Sequence, residues 1–271
     1  MTKQSPIPWD CFVRLKPSSQ NHKKKMRYIY LSPHLDDAVL SCGGIILNQR
    51  KAGIPVEIWN WMSGIPADDL PLSDLARSVH AEWELDSVKE VYAARLAEDR
   101  LAISRVDASV RYFDFLDCIY RRDDAGTVLY PDDIFVPPHA ADGQLMEDIA
   151  LVLQENLRTD DILVAPLTIG NHPDHVIVAR AAEKIGHPLC YYADIPYSIW
   201  YPEQLAEITK NLFTELLTVS ENELAGWQDA VSAYEAPVEV LFGGEEMMKN
   251  ALKLYWRAKR GIQLFSQKQS I

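Results

Sequence analysis

The sequence lacks the features that mark several other classes of protein, beginning with cysteine. Four cysteines occur in 271 residues, and no two of them form a Cys-x-x-Cys pair. This spacing argues against a disulfide framework and against a cysteine-ligated zinc site, so we predict a reducing, cytoplasmic setting. No apolar run reaches the length of a membrane span, and the N-terminal stretch has no apolar segment typical of a secretory signal.

Basic charge is also scarce, because 27 Lys and Arg residues stand against 39 Asp and Glu residues and give a net charge of -12. Nucleic acids and anionic membranes bind proteins through basic patches, so neither is predicted as a partner. The run Lys23–Lys25 is interpreted as part of an irregular lead-in over residues 1–25. We predict that residues 26–271 form one domain with a helical C-terminal tail; the sequence carries no signal for its oligomeric state.

From Met26 onward, predicted strands alternate with predicted helices. The strands are "MRYIYLS", "IPVEIWNWM", "VRYFDFLD", "DILVAPL" and "PLCYYADI". The helices are 38–51, a tract over about 77–104 with a break near Leu85-Asp86, "GQLMEDIALVLQENL" and "PDHVIVARAAEKIG". Such alternation predicts an α/β, Rossmann-like fold with a mostly parallel sheet and helices on both faces. From Gln204 the pattern is mostly helical, with one short apolar segment, "VEVLF".

Two short segments with histidine and aspartate follow predicted strands. "PHLDD" comes after the first strand, and "IGNHPDH" comes after "DILVAPL". Since ligands of open α/β sheets bind beyond the carboxyl ends of the strands, both segments are expected at the same rim. His34 and Asp37 are three residues apart and can converge on one zinc ion at a helix N-terminus. One ligand from the second segment, which offers His172 and His175, completes a His-Asp-His set.

The groups left over suit hydrolysis. Asp36 could act as a carboxylate base, Asp174 could orient a histidine, and His172 could serve as an acid, which together predict metal-assisted hydrolysis. A structural interpretation competes with this one, because aspartate is a good helix N-cap and each segment opens a predicted helix. Capping accounts for one aspartate per segment. It does not account for two His/Asp clusters at equivalent strand ends.

The same segments carry a resemblance to a known family. "SPHLDDAVLSCGG" is similar to the first motif of the PIG-L/LmbE-like zinc-dependent N-deacetylases, whose common form is PHPDDE. "GNHPDH" matches their later HPDH motif, and "ARLAEDRLAISRV" resembles the Arg-x-x-Glu helix between the two. "YYADIPY" resembles a segment that follows in one branch of the family. The resemblance covers about residues 27–200.

The resemblance implies a role for each matching residue. His34, Asp37 and His175 would bind Zn²⁺, although Fe²⁺ or Co²⁺ also suits such ligands. Asp36 would be the general base. The remaining implied roles are oxyanion stabilisation or amine protonation by His172, histidine orientation by Asp174, and substrate contact by Arg95 and Asp117.

The resemblance has one departure, and the rim has two further candidates. Ala38 replaces the usual glutamate of the first motif, so any role of that glutamate must be absent or filled from elsewhere. Trp61, beside Trp59 at the end of the second strand, could form the floor of a sugar site or pack in the core. Asp194 could line the same rim.

The predicted function is removal of the acetyl group from an N-acetylated amino sugar or glycoside, with acetate and a free amine as products. An amidase or decarbamoylase acting on a non-sugar amide is an alternative within the hydrolases. An inactive module that binds metal or sugar is an alternative from another class, and only Ala38 supports it.

Overall fold

The computed structural model describes residues 26–67, 70–81, 83, 85 and 87–267. The prediction of an irregular lead-in over residues 1–25 lies outside the described residues. The described strands are β1 (Arg27–Ser32), β2 (Val56–Asn60), β3 (Ser109–Tyr112), β4 (Asp161–Pro166), β5 (Leu189–Tyr192), β6 (Leu212–Thr218) and β7 (Gly261–Gln267).

The described helices alternate with these strands through most of the chain. They are α1 (Asp37–Lys51), α2 (Asp74–Ala81), α3 (Val88–Arg105), α4 (Gly143–Asn156), α5 (Pro173–Lys184), α6 (Tyr197–Trp200), α7 (Pro202–Thr209), α8 (Glu221–Val231), α9 (Glu235–Phe242) and α10 (Glu245–Lys259). The break predicted near Leu85-Asp86 separates α2 from α3.

The strands of the described chain form one sheet in the order β3-β2-β1-β4-β5-β7-β6. Strands β1 to β5 are parallel, whereas β7 is antiparallel to both of its neighbours. From β1 the chain turns toward β2 and β3, and from β4 it turns toward β5 on the other side. The sheet order therefore reverses between β1 and β4, which opens a crevice at their carboxyl ends.

Alternate side chains of the central strands face opposite layers of helices. Tyr28 and Tyr30 of β1 lie in a core with α1, α3, α8, α9 and α10. Ile29 and Leu31 lie in a second core with α4 and α5. Every residue of β1 and β4 is buried, as expected for parallel strands covered on both faces. The predicted α/β class, with a mostly parallel sheet between helices, is confirmed.

The segment after Gln204 contains two strands that the sequence pattern did not predict. β6 and β7 pair along seven positions, and β7 also joins β5. "LFTELLT" and "GIQLFSQ" mix polar and apolar residues without a clean alternation. β6 lies at the sheet edge and is partly exposed. The short apolar segment "VEVLF" is helical and belongs to α9.

The Gly43-Gly44 pair allows α1 to approach a neighbouring helix. Trp227 of α8 is fully buried and donates its indole N–H to the carbonyls of Val39 (2.9 Å) and Leu40 (3.1 Å). A Cβ added at Gly43 would overlap the ring of Trp227. None of the described helices is long and apolar enough to cross a membrane.

Candidate active site

The loop between β1 and α1 is held by Ser32 and Asp37, whereas the Asp36 side chain takes no part in capping α1. The Ser32 hydroxyl accepts a hydrogen bond from the Ala38 N–H (3.0 Å) and donates one to the His34 carbonyl (2.6 Å). The His34 N–H donates to Asp37 Oδ2 at 2.7 Å. Asp36 occupies the N-cap position, but its side chain makes no capping hydrogen bond and lines a cleft instead. Helix capping therefore does not explain Asp36.

At the second rim segment the helix is capped by a histidine. The chain leaves β4 through Thr168, Gly170 and Asn171, all with positive φ, and enters α5 at Pro173. His172 Nδ1 accepts a hydrogen bond from the Asp174 N–H at 3.3 Å, which caps α5. His172, and not Asp174, therefore caps α5.

Asp174 is fully buried and joins the two rim segments. Its Oδ2 lies 3.0 Å from His34 Nε2 and accepts a hydrogen bond from the Cys118 N–H, also at 3.0 Å. Arg121 donates to its other oxygen. Burial raises the pKa of Asp174. The positive charge of Arg121 and the neighbouring imidazoles lower it by more, so the pKa lies well below its usual range.

Asp37 lies between two imidazole rings in a symmetrical arrangement. His34 Nδ1 is 3.3 Å from Asp37 Oδ2, and His175 Nε2 is 3.3 Å from Asp37 Oδ1. The far nitrogen of each ring faces a second carboxylate: Asp174 for His34 at 3.0 Å, and Asp194 for His175 at 2.8 Å. A metal-bound histidine usually donates its other N–H to such a group.

The spacing within each carboxylate–imidazole pair can be compared with the spacing of two ligands on one ion. Two ligand atoms each about 2.1 Å from one ion, at a tetrahedral angle, lie roughly 3.4 Å apart. His34 Nδ1 is 3.3 Å from Asp37 Oδ2 and His175 Nε2 is 3.3 Å from Asp37 Oδ1, so each pair agrees with that value through a different oxygen of the carboxylate. The donors, two imidazoles and one carboxylate, are also those that divalent zinc and iron accept.

Three other sets of described side chains bring their ligand atoms close enough together to hold a cation, and none of these sets includes Asp37. His34, His172 and His175 each offer a ligand atom within 4.8 Å of the others, as do Cys118, His172 and Asp174, or His34, Asp117 and Asp174. The first of these groups would have to include His172. Its Nδ1 is occupied by the helix cap, and its Nε2 faces the Cys118 thiol at 3.9 Å rather than a carboxylate. The hydrogen bonds therefore fit His175 better than His172 as the third ligand.

The electrostatics of the cluster separate the histidines into two kinds. Burial lowers the pKa of His175, but Asp37 and Asp194 together, through their charges and hydrogen bonds, raise it by more, with a net rise to about 9. The pKa of His34 also rises well above its usual value, because hydrogen bonds to Asp174 and Asp37 outweigh burial. Burial and the charge of His34 lower the pKa of His172 well below its usual value. The lowered pKa favours a neutral His172, and the proton of that neutral ring is assigned to Nε2 because Nδ1 accepts the cap hydrogen bond.

A buried network that the sequence did not predict supports the cluster. Arg121 donates to Asp142 Oδ2 at 3.1 Å and to the Leu116 carbonyl at 3.0 Å, in addition to Asp174. The Tyr130 hydroxyl donates to the same Asp142 carboxylate. Arg121 and Asp142 lie far from both motifs in sequence, and no local pattern distinguishes them. Only the tertiary structure brings them behind Asp174.

The cluster opens into a cleft of about 150 Å³. Asp36, Arg95 and Asp117 line it together with the three histidines and Asp37. Arg95 Nη1 is 3.8 Å from Asp117 Oδ2, and its guanidinium lies 5.1 Å from the centroid of the Trp83 ring. Two of the predicted substrate-side residues therefore face the space beside the rim cluster.

The other two predicted substrate-side residues do not face the cleft. Trp61 is fully buried and stacks on Phe113, with ring centroids 4.3 Å apart, so it belongs to the core. Asp194 is 2% exposed and is engaged by His175 and by the Ile169 N–H. Its place is behind the histidine, where it orients the ring. Ala38 is also fully buried in the core and does not reach the cleft.

The fold and the site define the class of the protein: a hydrolase of Rossmann-like α/β architecture whose rim cluster is consistent with a divalent metal ion. The PIG-L family, described as GlcNAc-PI de-N-acetylase, matches residues 29–185, which is more than half of the chain. The chain belongs to the PIG-L family and is a hydrolytic N-deacetylase, as its two motifs predicted.

Individual relatives carry the same activity in their names. The chain is 26% identical to the 2'-N-acetylparomamine deacetylase of Niallia circulans over 247 residues, which cover 84% of this chain and 86% of the relative. It is similar to the zinc-inhibited form of teicoplanin deacetylase Orf2, with TM-score 0.75, 25% identity, and coverage of 90% of this chain and 100% of that one. It is also similar to the A40926 pseudoaglycone deacetylase Dbv21, with TM-score 0.70, 28% identity, and coverage of 89% of this chain and 96% of that one.

Proposed function

We propose that the protein removes the acetyl group from an N-acetylated amino sugar in a small glycoconjugate, which releases acetate and a free amine. The observation that carries this proposal is the placement of Asp37 between His34 and His175, each backed by a further carboxylate, with Asp36 facing the adjoining cleft. The family match and the deacetylase relatives support the same reaction.

His34, Asp37 and His175 would hold the ion in this proposal. When bound, a divalent ion supplies Lewis-acid polarisation of the acetamide carbonyl and acidifies a water molecule. Zn²⁺ is the proposed ion. Because one similar structure is described as a zinc-inhibited form, the protein is also tested with Fe²⁺ and Co²⁺.

Asp36 would act as the general base. Its carboxylate is free of capping hydrogen bonds and faces the cleft next to Asp37. Burial and the negative charge of Asp37 raise the pKa of Asp36, while Arg95 and His34 lower it, with a net rise. A base with a raised pKa accepts a proton from water more readily near neutral pH and can return it to the leaving amine.

His172 would stabilise the charge that develops on the carbonyl oxygen. Its neutral ring carries a proton on Nε2, so it can donate a hydrogen bond without titrating during the reaction. This arrangement supports oxyanion stabilisation over protonation of the amine. Asp174 would act through His34, whose ring it orients. Arg95 and Asp117 would contact sugar hydroxyls beside the cluster, since both line the cleft and Asp117 Oδ2 lies 3.8 Å from His34 Nε2.

The test is acetate release from a panel of N-acetylated amino sugars, with metal analysis of the same purified protein loaded with Zn²⁺, Fe²⁺ or Co²⁺. The proposal predicts turnover that depends on metal content. Turnover confined to N-acyl or carbamoyl compounds without a sugar would favour the amidase or decarbamoylase alternative. Bound metal without acetate release from any compound would favour the inactive module. The reducing, cytoplasmic setting stays a prediction.

A further inference from the structure

Helix α10 presents an apolar stripe to the solvent. Met247 is 59% exposed and Leu254 is 66% exposed, and no other large apolar side chain among the described residues is exposed as much. Ala251 lies between them and Ala258 follows, and this spacing of four, three and four residues places all of them on one face of the helix. Scattered apolar residues at a surface need no explanation, but an aligned row is typical of a helix that packs against another helix.

The opposite face of α10 is already packed in the core. Met248, Leu252 and Trp256 are buried there, and Trp256 Nε1 donates a hydrogen bond to the Val219 carbonyl at 2.7 Å. These contacts hold the helix in place without any cover over the apolar stripe. The stripe is therefore a second packing surface and not part of the core.

A polar stripe runs beside the apolar one, and its charge changes sign along the helix. Its members follow the same spacing one position earlier, and all are exposed: Glu246, Asn250, Lys253 and Arg257. The negative charge is at the N-terminal end and the two positive charges are in the C-terminal half. The ion pairs that α10 and its C-cap form among the described residues use Glu245, Lys249 and Arg260, so the charges of the polar stripe take part in none of them.

We propose that two copies of the chain pair through α10, in antiparallel orientation about a two-fold axis that passes Ala251. Met247 and Leu254 lie four residues before and three residues after Ala251, so Met247 of each copy packs against Leu254 of the other. The small alanine side chains at the axis let the two helices approach closely. The apolar stripe of each copy thereby covers that of its partner.

The charges favour a second copy as the partner and fix the antiparallel orientation. About this axis, the polar stripe of one helix lies beside the same stripe of the other helix, which runs in the opposite direction. Glu246 lies five residues before Ala251 and Arg257 lies six residues after it, so Glu246 of each copy meets Arg257 of the other. Lys253 meets the neutral Asn250 and not another cation. In a parallel pair the two polar stripes would lie on opposite sides of the interface.

The size of the contact predicts a weak dimer. Helix α10 has 15 residues, which gives it a length of about 22 Å. Two helices of this length bury less than the roughly 1,200 Å² at which stable specific interfaces begin. We therefore expect a dissociation constant of about 1–100 µM, which makes the dimer dependent on protein concentration.

Sedimentation velocity of the full chain measures this association at protein concentrations from about 1 to 500 µM. Leu254→Glu places a charge within the apolar stripe and should raise the dissociation constant more than about 10-fold. Leu151→Glu is the matched control, because it makes the same change at a 54% exposed position of α4 and should leave the constant unchanged.

Two outcomes of this measurement contradict the proposal. A dimer that Leu254→Glu leaves intact pairs through another face of the molecule. A wild type that stays monomeric at every concentration has no such interface. If Leu254→Glu also lowers the thermal stability of that monomer, another segment of the same chain covers the stripe.

Charge reversal tests the orientation. Glu246→Arg and Arg257→Glu each bring like charges together at both ends of the interface, and each should weaken the dimer about 3–30-fold at low salt. The double variant restores both ion pairs in reverse and should return the dissociation constant to within about twofold of the wild-type value. A double variant that dimerises no better than the single variants would overturn the antiparallel arrangement.

A disulfide provides a test that depends on gained and not on lost association. Ala251→Cys places two thiols at the axis, where oxidised glutathione should cross-link them. Ala258→Cys is the matched control, because its two thiols would lie about 20 Å apart along the helices. Cys42, Cys118 and Cys190 are buried and do not compete. Equal yields of cross-linked dimer from the two variants, or none from Ala251→Cys, would show that the axis is not at Ala251.

Discussion

The phenol of Tyr234 donates a hydrogen bond to Asp99 Oδ1 at 2.9 Å and so joins helix α3 to the start of helix α9. Asp99 is 1% exposed and also accepts hydrogen bonds from Tyr112 (2.8 Å) and Asn60 (2.8 Å). One residue earlier, Glu98 Oε1 accepts from the Glu235 N–H at 3.2 Å. Two adjacent carboxylates of α3 therefore hold the helix that provides part of the cleft wall.

The Asp99 contact predicts a pH-dependent stability. Burial raises the pKa of Asp99 from 3.8 to about 7, and hydrogen bonds from Tyr112 and Tyr234 offset only part of that rise. The folded protein keeps a proton that the unfolded chain loses between about pH 4 and 7, so stability falls as pH rises through that window. We expect a loss on the order of 1–4 kcal/mol in the free energy of unfolding.

Asp99→Asn should remove most of this dependence, measured by urea unfolding between pH 4.5 and 8. Asp124→Asn, at an exposed turn position, should keep the wild-type slope. Identical slopes for the wild type and Asp99→Asn would show that Asp99 does not carry the effect.

The adjacent aspartates of the first motif should respond differently to substitution. Asp37→Ala removes a proposed ligand and should lose both bound metal and turnover. Asp36→Asn should keep the metal and lower kcat about 10²–10⁴-fold, as expected for a general base. Metal content and kcat are measured on the same preparations. Metal loss in Asp36→Asn, with retention in Asp37→Asn, would exchange the two roles.

Substitutions at His172 can separate catalysis from helix capping. His172→Asn keeps a side chain that caps helices well but removes the Nε2 donor, whereas His172→Ala removes both. Each variant should lower kcat about 10²–10³-fold with metal retained. Only His172→Ala should also lose about 1 kcal/mol of stability. Full activity in His172→Asn would mean that the histidine serves α5 alone.

Asp194 should affect metal binding rather than substrate binding, because it contacts His175 at 2.8 Å and does not line the cleft. Asp194→Asn is expected to weaken metal affinity about 10–100-fold, as seen for carboxylates that orient ligand histidines. At saturating metal its KM should stay within about twofold of the wild-type value. A large rise in KM with unchanged metal affinity would restore the substrate-side role predicted from the sequence.

The packing of α1 on α8 predicts a destabilising methyl group. Gly43→Ala would force Trp227, which is fully buried, out of its place and should cost about 1–3 kcal/mol in thermal or urea unfolding. Gly143→Ala is the matched control, because nothing lies within 4 Å of a Cβ at that position. Equal stability of the two variants would contradict the close approach.

The sequence predicted the sheet class and the pairing of the two rim segments, because both depend on local signals. Buried parallel strands are continuous apolar runs, and polar residues at their carboxyl ends meet at one edge. β6 and β7 lacked such a signal, since their strand character comes from pairing with each other and with β5.

The same distinction applies within the site. His34, Asp37, His172 and His175 converge as their motifs predicted, whereas Trp61 and Asp194 were assigned to the substrate side and lie elsewhere. The sequence pattern around a tryptophan at a strand end is the same whether its side chain faces the core or the rim. The direction of the side chain depends on the pleat of β2 and on its neighbours in the fold. Arg121 donates a hydrogen bond to Asp174, which lies 53 positions later in the sequence, and no short sequence pattern predicts such a contact.

The part of the cleft wall that α9 provides and the reacting groups belong to different parts of the chain. The reacting groups follow β1 and β4, while Val240 lies beyond residue 185, where the family match ends. Mutation can therefore reshape α9 without disturbing the loops that hold His34 and His175. In evolutionary terms, such a chain can change the molecules that it accepts while its chemistry stays constant, and an engineer can redesign one without rebuilding the other.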